Sequence, residues 1–345
     1  MVTAVVRGVG TATPAAVSQQ ELWDGFFADH YAGTGQVLAR RIFANAGVVT
    51  RHGVANPLVE DVSGWSTGRR MDRYLIEALP LGKEALAGAL ADAGVDPRRL
   101  GLLAVCSCTG YATPGLDILL ARDLGLAADC QRLFVGHMGC YAALPGLRAV
   151  ADFVRVCRRP AALLCAELAS LHVQPPTVDT GQIVAHALFS DAAAAVVVAP
   201  GGDGYEVLGV GSVTDTTTAG HMSWEITDLG FRMGLSPRVP EALATKVGGF
   251  VAGLLAGEGL SVAAVDGWAV HPGGPHILDV VERELALAPP ALAASRGVLA
   301  AHGNCSSPTV LLILDELRRT GCEHVVALAF GPGLTLYAAV LRRRG

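Results

Sequence analysis

The sequence Gly-His-Met-Gly-Cys-Tyr-Ala-Ala, residues 136–143, leads into a long apolar segment with helical spacing. Cys140 therefore stands just before a predicted helix over residues 141–156. Unpaired backbone N–H groups and the positive end of the helix dipole both stabilise a thiolate at such a position. Gly136 and Gly139 allow a tight entry turn with backbone close to the sulfur. The pattern predicts a cysteine nucleophile that transfers an acyl group through a thioester.

The chain has seven other cysteines, against which this interpretation can be weighed. Free cysteine usually packs as a small buried hydrophobe. Cys106 and Cys165 lie in short apolar runs typical of strands, where core packing explains them. Only Cys140 combines a glycine-rich turn with the start of a long amphipathic segment, so it is the one cysteine for which we predict chemistry.

Composition limits the classes of function. The 345 residues are 51% hydrophobic and only 17% charged, enough for one large core or two apposed cores. A net charge of −5 without a basic face argues against nucleic acid as a partner. No apolar run approaches the ~20 residues of a membrane span, and Arg7 interrupts the N-terminal apolar stretch that a signal peptide would need. We therefore expect no membrane association.

Cysteine spacing indicates the compartment. Eight cysteines without regular spacing are typical of reduced thiols in a cytoplasmic enzyme and not of a disulfide framework. Cys106 and Cys108 are one residue too close for a zinc-binding Cys-X-X-Cys pair, and no second pair occurs. We expect a cytoplasmic protein without a metal site.

Short runs rich in Val, Ala and Leu alternate with longer helical patterns, which predicts an α/β fold. Strands are predicted at 4–10, 102–108, 161–166, 192–199, 206–213, 267–271, 324–330 and 334–341. Helices are predicted at 74–93, 115–124, 141–156, 239–256, 276–285 and 307–319.

The two halves of the chain resemble each other. A glycine turn with Cys140, a helix, a polar break and a buried strand from residue 161 form one unit. Gly303-Asn-Cys305, a helix, a polar break and a strand from residue 324 form another. Such repetition predicts a duplicated unit with a pseudo-twofold axis, so that equivalent helix starts converge on one site. We place the division between residues 1–203 and 204–345, although one fused two-lobed domain describes the pattern equally well.

Two further residues are catalytic candidates. His271 ends a predicted strand ahead of Pro-Gly-Gly-Pro, which sets its imidazole at the sheet edge where α/β proteins place their sites; the alternative is a loop histidine on the surface. Asn304 precedes the helix near residue 307 and is an ordinary N-cap candidate. If Ser306 or Ser307 caps that helix instead, the Asn304 amide is free to donate to an oxyanion.

Taken together, these segments resemble the thiolase superfamily, and specifically the chalcone-synthase-like type III polyketide synthases. The resemblance runs in family order from about residue 100 to the end, and the first hundred residues match more weakly. The matching segments are Gly139-Cys-Tyr-Ala-Ala143, Cys165-Ala-Glu-Leu168, Ala187-Leu-Phe-Ser-Asp-Ala-Ala193, Ala269-Val-His-Pro-Gly-Gly-Pro275, Gly303-Asn-Cys-Ser-Ser307 and Phe330-Gly-Pro-Gly-Leu-Thr335. The resemblance implies a thiolase-like fold with layers in the order α-β-α-β-α, and a homodimer.

The resemblance also implies a set of site residues. Cys140, His271 and Asn304 would form a catalytic triad, with the Cys140 thiolate paired to protonated His271. Two gatekeeper phenylalanines would be Phe189 and Phe231. The implied pocket residues are Cys108, Thr109, Ala169, His172 and Trp224, and the implied contact with a coenzyme A phosphate is Arg41. Trp224 is bulky for its place and would either shorten the cavity or pack behind it.

The expected reaction is iterative, decarboxylative condensation of malonyl-CoA onto an acyl-CoA starter, giving a pyrone, resorcinol or other phenolic product. CoA thioesters are substrates here, and no cofactor is expected. The alternative is a single-condensation β-ketoacyl synthase III-like enzyme that uses acyl carrier protein. A third hypothesis is a non-catalytic relative that is retained as a binding subunit. The sequence leaves the starter, the number of extensions and the cyclisation mode open.

Overall fold

The computed structural model describes residues 2–345, within which thirteen strands and eleven α-helices are defined. The strands are β1 (Ala4–Ala12), β2 (Ala16–Ser18), β3 (Thr50–His52), β4 (Leu102–Ser107), β5 (Gln131–Gly136), β6 (Ala161–Leu168), β7 (Asp191–Pro200), β8 (Gly204–Thr214), β9 (Met222–Thr227), β10 (Gly230–Leu235), β11 (Gly267–Val270), β12 (His324–Gly331) and β13 (Thr335–Arg344). The helices are α1 (Gln19–Leu22), α2 (Ala28–His30), α3 (Gln36–Ala44), α4 (Thr67–Ala93), α5 (Leu116–Asp123), α6 (Ala143–Cys157), α7 (Thr180–Leu188), α8 (Val239–Gly257), α9 (Pro275–Glu284), α10 (Ala293–His302) and α11 (Pro308–Thr320).

Nine strands form one mixed sheet in the order β11-β12-β13-β8-β1-β7-β6-β4-β5. The sheet has two halves that meet where β1 pairs with β8, through Val5 and Val6 alone. Strands β9 and β10 form a separate hairpin, and β2 pairs with β3. The narrow β1–β8 junction lets the two halves of the sheet turn away from each other and enclose helices between them.

The pairing pattern repeats in the two halves. In the first half β1 is antiparallel to β7, β7 antiparallel to β6, and β6 parallel to β4. In the second half β8 is antiparallel to β13, β13 antiparallel to β12, and β12 parallel to β11. Helix α6 leads into β6 as α11 leads into β12. The predicted duplication is therefore confirmed, and the division proposed at residues 203 and 204 falls between β7 and β8.

Three apolar clusters separate the layers. The first packs α4 against one face of β4, β6 and β7. The second holds α6 and α11 between the two halves of the sheet. The third packs α8 and α9 on the outer face of β11, β12 and β13. The predicted order of layers, α-β-α-β-α, is confirmed, and each central helix begins a few residues after a residue that carries the candidate chemistry.

Helix α8 is the one helix in residues 2–345 that is long and apolar enough by composition to cross a membrane. Its Leu243, Val247, Val251 and Leu255 recur every fourth residue and are fully buried. They belong to the cluster on the outer face of the second half-sheet. Helix α8 is therefore a packed outer-layer helix of this fold.

Candidate active site

A cavity of about 750 Å³ receives side chains from both halves of the molecule, among them Cys140, His271 and Asn304. Cys140 precedes α6, His271 follows β11, and Asn304 precedes α11. These three residues are distant in the chain, and the duplicated fold brings them to one cavity because each stands at the same edge of its half.

Cys140 lies in a 3-10 turn, Gly139–Tyr141, that leads directly into α6. Gly139 has a φ of 73°, and a Cβ there would come within 2.9 Å of Cδ of Pro332. Both the backbone conformation and the close approach of Pro332 therefore require glycine. The turn from the second half of the chain thus presses against the turn that carries the thiol.

The surroundings of Cys140 favour the neutral thiol. Burial raises its pKa to about 12, although a hydrogen bond with the Ser306 hydroxyl lowers it in part. Burial also lowers the pKa of His271 to about 3. Burial of both groups therefore opposes the thiolate–imidazolium pair that we predicted, because desolvation disfavours the charged forms.

His271 is 1% exposed, and its backbone N–H donates to the Leu328 carbonyl at 2.8 Å. Within residues 2–345 neither ring nitrogen has a hydrogen-bond partner. The Phe330 ring packs edge-on at 5.9 Å and holds the imidazole in place. A buried imidazole with both nitrogens free can accept a proton at one and donate a hydrogen bond from the other.

Asn304 is 3% exposed and is fixed by backbone bonds to the segment before β7: its N–H donates to Leu188 at 2.8 Å, and its carbonyl accepts from Ser190 at 3.0 Å. Its side-chain oxygen accepts from the Ser306 N–H at 2.8 Å. In the described chain the amide nitrogen has no acceptor, so it is the group left for the cavity.

Neither Ser306 nor Ser307 caps α11 with its side chain. The residue at the cap position is Ser307, and its side chain makes no capping bond. Its hydroxyl instead donates to the buried carboxylate of Glu167 at 3.0 Å. The Asn304 amide is left free for the cavity because its own oxygen closes a turn onto Ser306.

A small pocket of about 30 Å³ lies beside Cys140. Of the residues expected there, five do line it: Cys108, Thr109, Ala169, Phe189 and Trp224. The indole nitrogen of Trp224 donates to the Cys108 carbonyl at 2.8 Å. This bond holds the indole beside the thiol, where it takes up part of the pocket.

Phe231 and His172 do not line either cavity that Cys140 borders. The Phe231 ring is buried and stacks on the His172 imidazole at 4.5 Å. Met233, two residues further along β10, lines both cavities with Phe189. Met233, and not Phe231, is therefore the residue of β10 that borders the thiol. Both residues lie on one face of the strand on either side of exposed Arg232, so alternation alone does not choose between them.

Glu167 is a buried site residue that the motif contained but to which sequence reasoning gave no role. Its carboxylate accepts from the Thr109 hydroxyl at 2.7 Å, the Cys108 N–H at 3.0 Å and the Ser307 hydroxyl at 3.0 Å. Burial raises its pKa, and these donors lower it in part. Glu167 therefore ties the end of β4 to the segment that carries Asn304.

Arg41 does not line the triad cavity. It is exposed on α3 and lines a separate open concavity of about 550 Å³ at the start of that helix. Asn45, one turn later, lies at the edge of the triad cavity, and its side chain donates to the Arg41 carbonyl at 2.7 Å. Arg41 is thus one helical turn outside the cavity. Among residues 2–345, no three His, Cys, Asp or Glu side chains cluster in a way that could hold a metal ion.

Comparison with known proteins identifies the family. The sequence model of the N-terminal domain of chalcone and stilbene synthases matches residues 2–202, and that of the C-terminal domain matches residues 213–344. The chain therefore belongs to the chalcone and stilbene synthase family.

Two curated relatives are bacterial. The chain is 36% identical to 1,3,6,8-tetrahydroxynaphthalene synthase of Streptomyces peucetius subsp. caesius, over 90% of this chain and 85% of that protein. It is 33% identical to 3,5-dihydroxyphenylacetyl-CoA synthase of Streptomyces toyocaensis, over 98% of this chain and 89% of that protein.

Two solved structures share the whole fold. PKS-I of the brown alga Ectocarpus siliculosus superposes with a TM-score of 0.94 at 25% identity, over 100% of this chain and 99% of that one. The C-terminal type III polyketide synthase domain of Steely1 from Dictyostelium gives 0.93 at 27% identity, over 99% of both chains. The protein is a type III polyketide synthase, an acyltransferase that condenses CoA thioesters iteratively into phenolic products.

Proposed function

We propose that Cys140, His271 and Asn304 perform the condensation, and that malonyl-CoA extends an acyl-CoA starter held on Cys140. The observation that carries the proposal is the convergence of these three side chains on one cavity, with the His271 nitrogens and the Asn304 amide free of protein partners in the described chain.

Loading begins with two neutral groups. His271 takes the Cys140 proton as the sulfur attacks the starter thioester, and that proton then goes to the departing CoA thiolate. The newly formed bond is the Cys140 thioester. Burial disfavours a lasting imidazolium at His271, so the proton passes on to the CoA thiolate as that group leaves.

During extension, neutral hydrogen-bond donors and not a charged side chain stabilise the enolate. Malonyl-CoA loses carbon dioxide, and the resulting enolate oxygen receives hydrogen bonds from the neutral His271 N–H and the Asn304 amide. The enolate carbon attacks the Cys140 thioester, the carbon–sulfur bond breaks, and Cys140 leaves as a thiolate while a β-ketoacyl-CoA two carbons longer is formed. For the next round that thiolate attacks the new CoA thioester, and CoA leaves. One such donor typically contributes about 3–4 kcal/mol to lowering the barrier.

The remaining assignments are part of the same proposal. Phe189 and Met233 form the entrance, Trp224 limits the pocket beside the thiol, and Arg41 contacts a CoA phosphate from outside the cavity. We place the enzyme in the cytoplasm, where CoA thioesters occur and eight free thiols persist. A pyrone, resorcinol or other phenol is the expected product class.

We also propose a homodimer. Strand β5 is an edge strand of the nine-stranded sheet, paired only with β4. Its Leu133 and Phe134 are 38% and 41% exposed, and an unpaired apolar edge favours pairing with a second copy. The two copies would extend the sheet through β5 of each.

The test measures CoA release and products by mass spectrometry after incubation with malonyl-CoA and a panel of acyl-CoAs. Cys140→Ala should give no extended product. Cys157→Ala, which removes an exposed cysteine at the end of α6, is the matched control and should retain activity. Extended product from Cys140→Ala would reject the proposal. Turnover that requires malonyl-acyl carrier protein and stops after one condensation would support the ketoacyl synthase alternative.

A further inference from the structure

A second internal pocket, of about 50 Å³, lies on the other side of Phe189 and Trp224 from the nucleophile. Ala169, Phe189 and Trp224 line both this pocket and the one beside Cys140. The two spaces are therefore separated only by the thickness of these side chains. At ~10–15 Å³ for each water-sized group, the second pocket admits a group about the size of a carboxylate with a methylene.

The main polar group in this pocket is Arg51, which is 7% exposed. Its Nη1 donates to the carbonyls of His186 at 2.6 Å and Phe189 at 3.2 Å. Its Nε is buried without an acceptor in residues 2–345, and no hydrogen bond from Nη2 is formed there. Burial lowers the pKa of Arg51 to about 10, so the side chain stays cationic near pH 7.

No described carboxylate forms an ion pair with Arg51. Asp191 is close enough to favour its charge, but the Asp191 oxygens accept from the Ser170 N–H at 2.7 Å and the Val54 N–H at 2.8 Å. The rings of Phe27 and Phe43 lie 5.6 and 5.8 Å from the guanidinium carbon and compensate only part of the cost of burying a cation. Arg51 therefore retains capacity for an anionic partner.

The other polar group of the pocket that lacks a partner in the described chain is also a hydrogen-bond donor. Gln182, 4% exposed, uses its side-chain oxygen to accept from the Met233 N–H at 3.2 Å, which leaves its amide nitrogen without an acceptor in the described chain. The ring nitrogens of His172 and His186 are all engaged by neighbours. A pocket with a cation and a spare amide donor fits a ligand that brings only acceptors.

We propose that this pocket binds the terminal carboxylate of a dicarboxylic starter, an ω-carboxyacyl chain held as a thioester on Cys140. This inference rests on the proposed function. The chain would run past Ala169 once the Phe189 ring turns aside, and Arg51 and Gln182 would donate to its carboxylate. Apolar residues of the pocket, among them Val17 and Leu22, would contact the methylenes.

The experiment pairs anionic and apolar starters of equal length: succinyl- with butyryl-CoA, glutaryl- with valeryl-CoA, and adipyl- with hexanoyl-CoA. Products from competing pairs are quantified by mass spectrometry. The wild-type enzyme should prefer the carboxylate member at the length that reaches the pocket. Arg51→Gln should reduce that preference about 10- to 100-fold. Gln182→Glu, which keeps the shape and the acceptor for Met233 but repels a carboxylate, should also reduce it.

Arg99→Gln is the matched control, because Arg99 is exposed and lies in a 3-10 turn far along the chain from the pocket residues. It should keep the wild-type preference. Circular dichroism and CoA release from malonyl-CoA report whether each variant is folded and competent, and Gln182→Glu carries the test if Arg51→Gln does not fold.

Equal use of both starters by the wild type, or an unaltered preference in competent Arg51→Gln and Gln182→Glu, overturns the assignment. A shorter product with an unaltered starter preference also overturns it, since the pocket would then hold carbonyls of the growing chain. Failure of the proposed function is distinct: no starter of either kind would be extended.

Discussion

The imidazole of His172 lies against the ring of Phe231, with centroids 4.5 Å apart and planes 9° apart. His172 accepts from the Phe231 N–H at 3.0 Å and donates from its other nitrogen to the Thr109 carbonyl at 2.6 Å. This one ring therefore joins β10 to the segment after β4. It fixes the strand whose next inward residue, Met233, faces the nucleophile.

Replacement of Met233 should therefore alter substrate use, and replacement of Phe231 should alter stability. Met233→Phe adds a rigid ring at the entrance and should lower kcat/KM for long acyl-CoAs more than for short ones. Phe231→Leu removes part of a buried stack and should lower the free energy of unfolding by about 1–3 kcal/mol. Steady-state kinetics over a series of acyl-CoA lengths, together with urea unfolding, measure both effects. If Met233→Phe instead altered only stability and Phe231→Leu altered substrate use, Phe231 would be the gatekeeper.

Asn304→Asp should preserve the fold around this position while slowing the reaction. Aspartate keeps the side-chain oxygen that accepts from Ser306 but replaces the amide donor with an oxygen. Decarboxylation of malonyl-CoA should fall about 100-fold or more, because a carboxylate repels the enolate. The rate of carbon dioxide release measures decarboxylation, and an unchanged melting temperature shows that the turn is intact. A variant that decarboxylates at the wild-type rate would remove Asn304 from the mechanism.

The fold should lose stability as the solution becomes acidic. Burial lowers the pKa of His172 to about 4, and those of His186 and His271 to about 3. Below the ordinary histidine value of 6.5 the unfolded chain binds these protons and the folded chain does not. As the pH falls below that value, each of these histidines lowers the free energy of unfolding by at most about 1.4 kcal/mol for each pH unit.

Asp191 acts in the opposite direction. Burial raises its pKa from 3.8 to about 6, so the folded chain binds this proton first on acidification and gains stability from it. Burial also raises the pKa of Glu167 and Asp315, which act like Asp191, and it lowers the pKa of His30 and His302, which act like the other histidines. Five histidines outweigh three carboxyl groups. Urea unfolding at pH 7, 6 and 5 should show a net loss of stability, with a smaller slope for His172→Gln. Stability that is constant or rising over this range would contradict the prediction.

The exposed edge of β5 should mediate self-association. Phe134→Lys places a charge on the apolar edge and should shift the mass of the protein in solution from that of a dimer to that of a monomer of 35.5 kDa. Light scattering after size-exclusion chromatography measures this directly. Val156→Lys alters another exposed apolar residue, on α6, and should leave the mass unchanged. A monomeric wild-type protein would refute the proposed homodimer.

Long periodic segments were the part of the fold that sequence reasoning could predict. All eight predicted strands and all six predicted helices are present, with ends that differ by a few residues, as for α4, which begins at Thr67 and not at residue 74. Strand β5 was not predicted, because Gln131 to Phe134 are all exposed and the strand has no alternation of buried and exposed residues. Helix α7 was not predicted, because seven of its nine residues are buried on several sides and such a helix has no polar stripe.

The candidate site was predictable where one residue type sits in a distinctive local motif, as Cys140, His271 and Asn304 do. The pocket was less predictable, because a strand places residues i and i+2 on one face and gives no sign of which contacts the cavity. The resemblance pointed to Phe231, and no local pattern pointed to Met233. The protonation of Cys140 and His271 depends on burial by distant segments, which no local pattern contains.

Pro332 lies against Gly139 at a distance that excludes any side chain there. During synthesis, Cys140 emerges from the ribosome almost two hundred residues before this proline does. The turn that presents the sulfur therefore lacks its packing partner until residue 332 has been made. A chain that stops before Pro332 should be inactive even though its thiol is present.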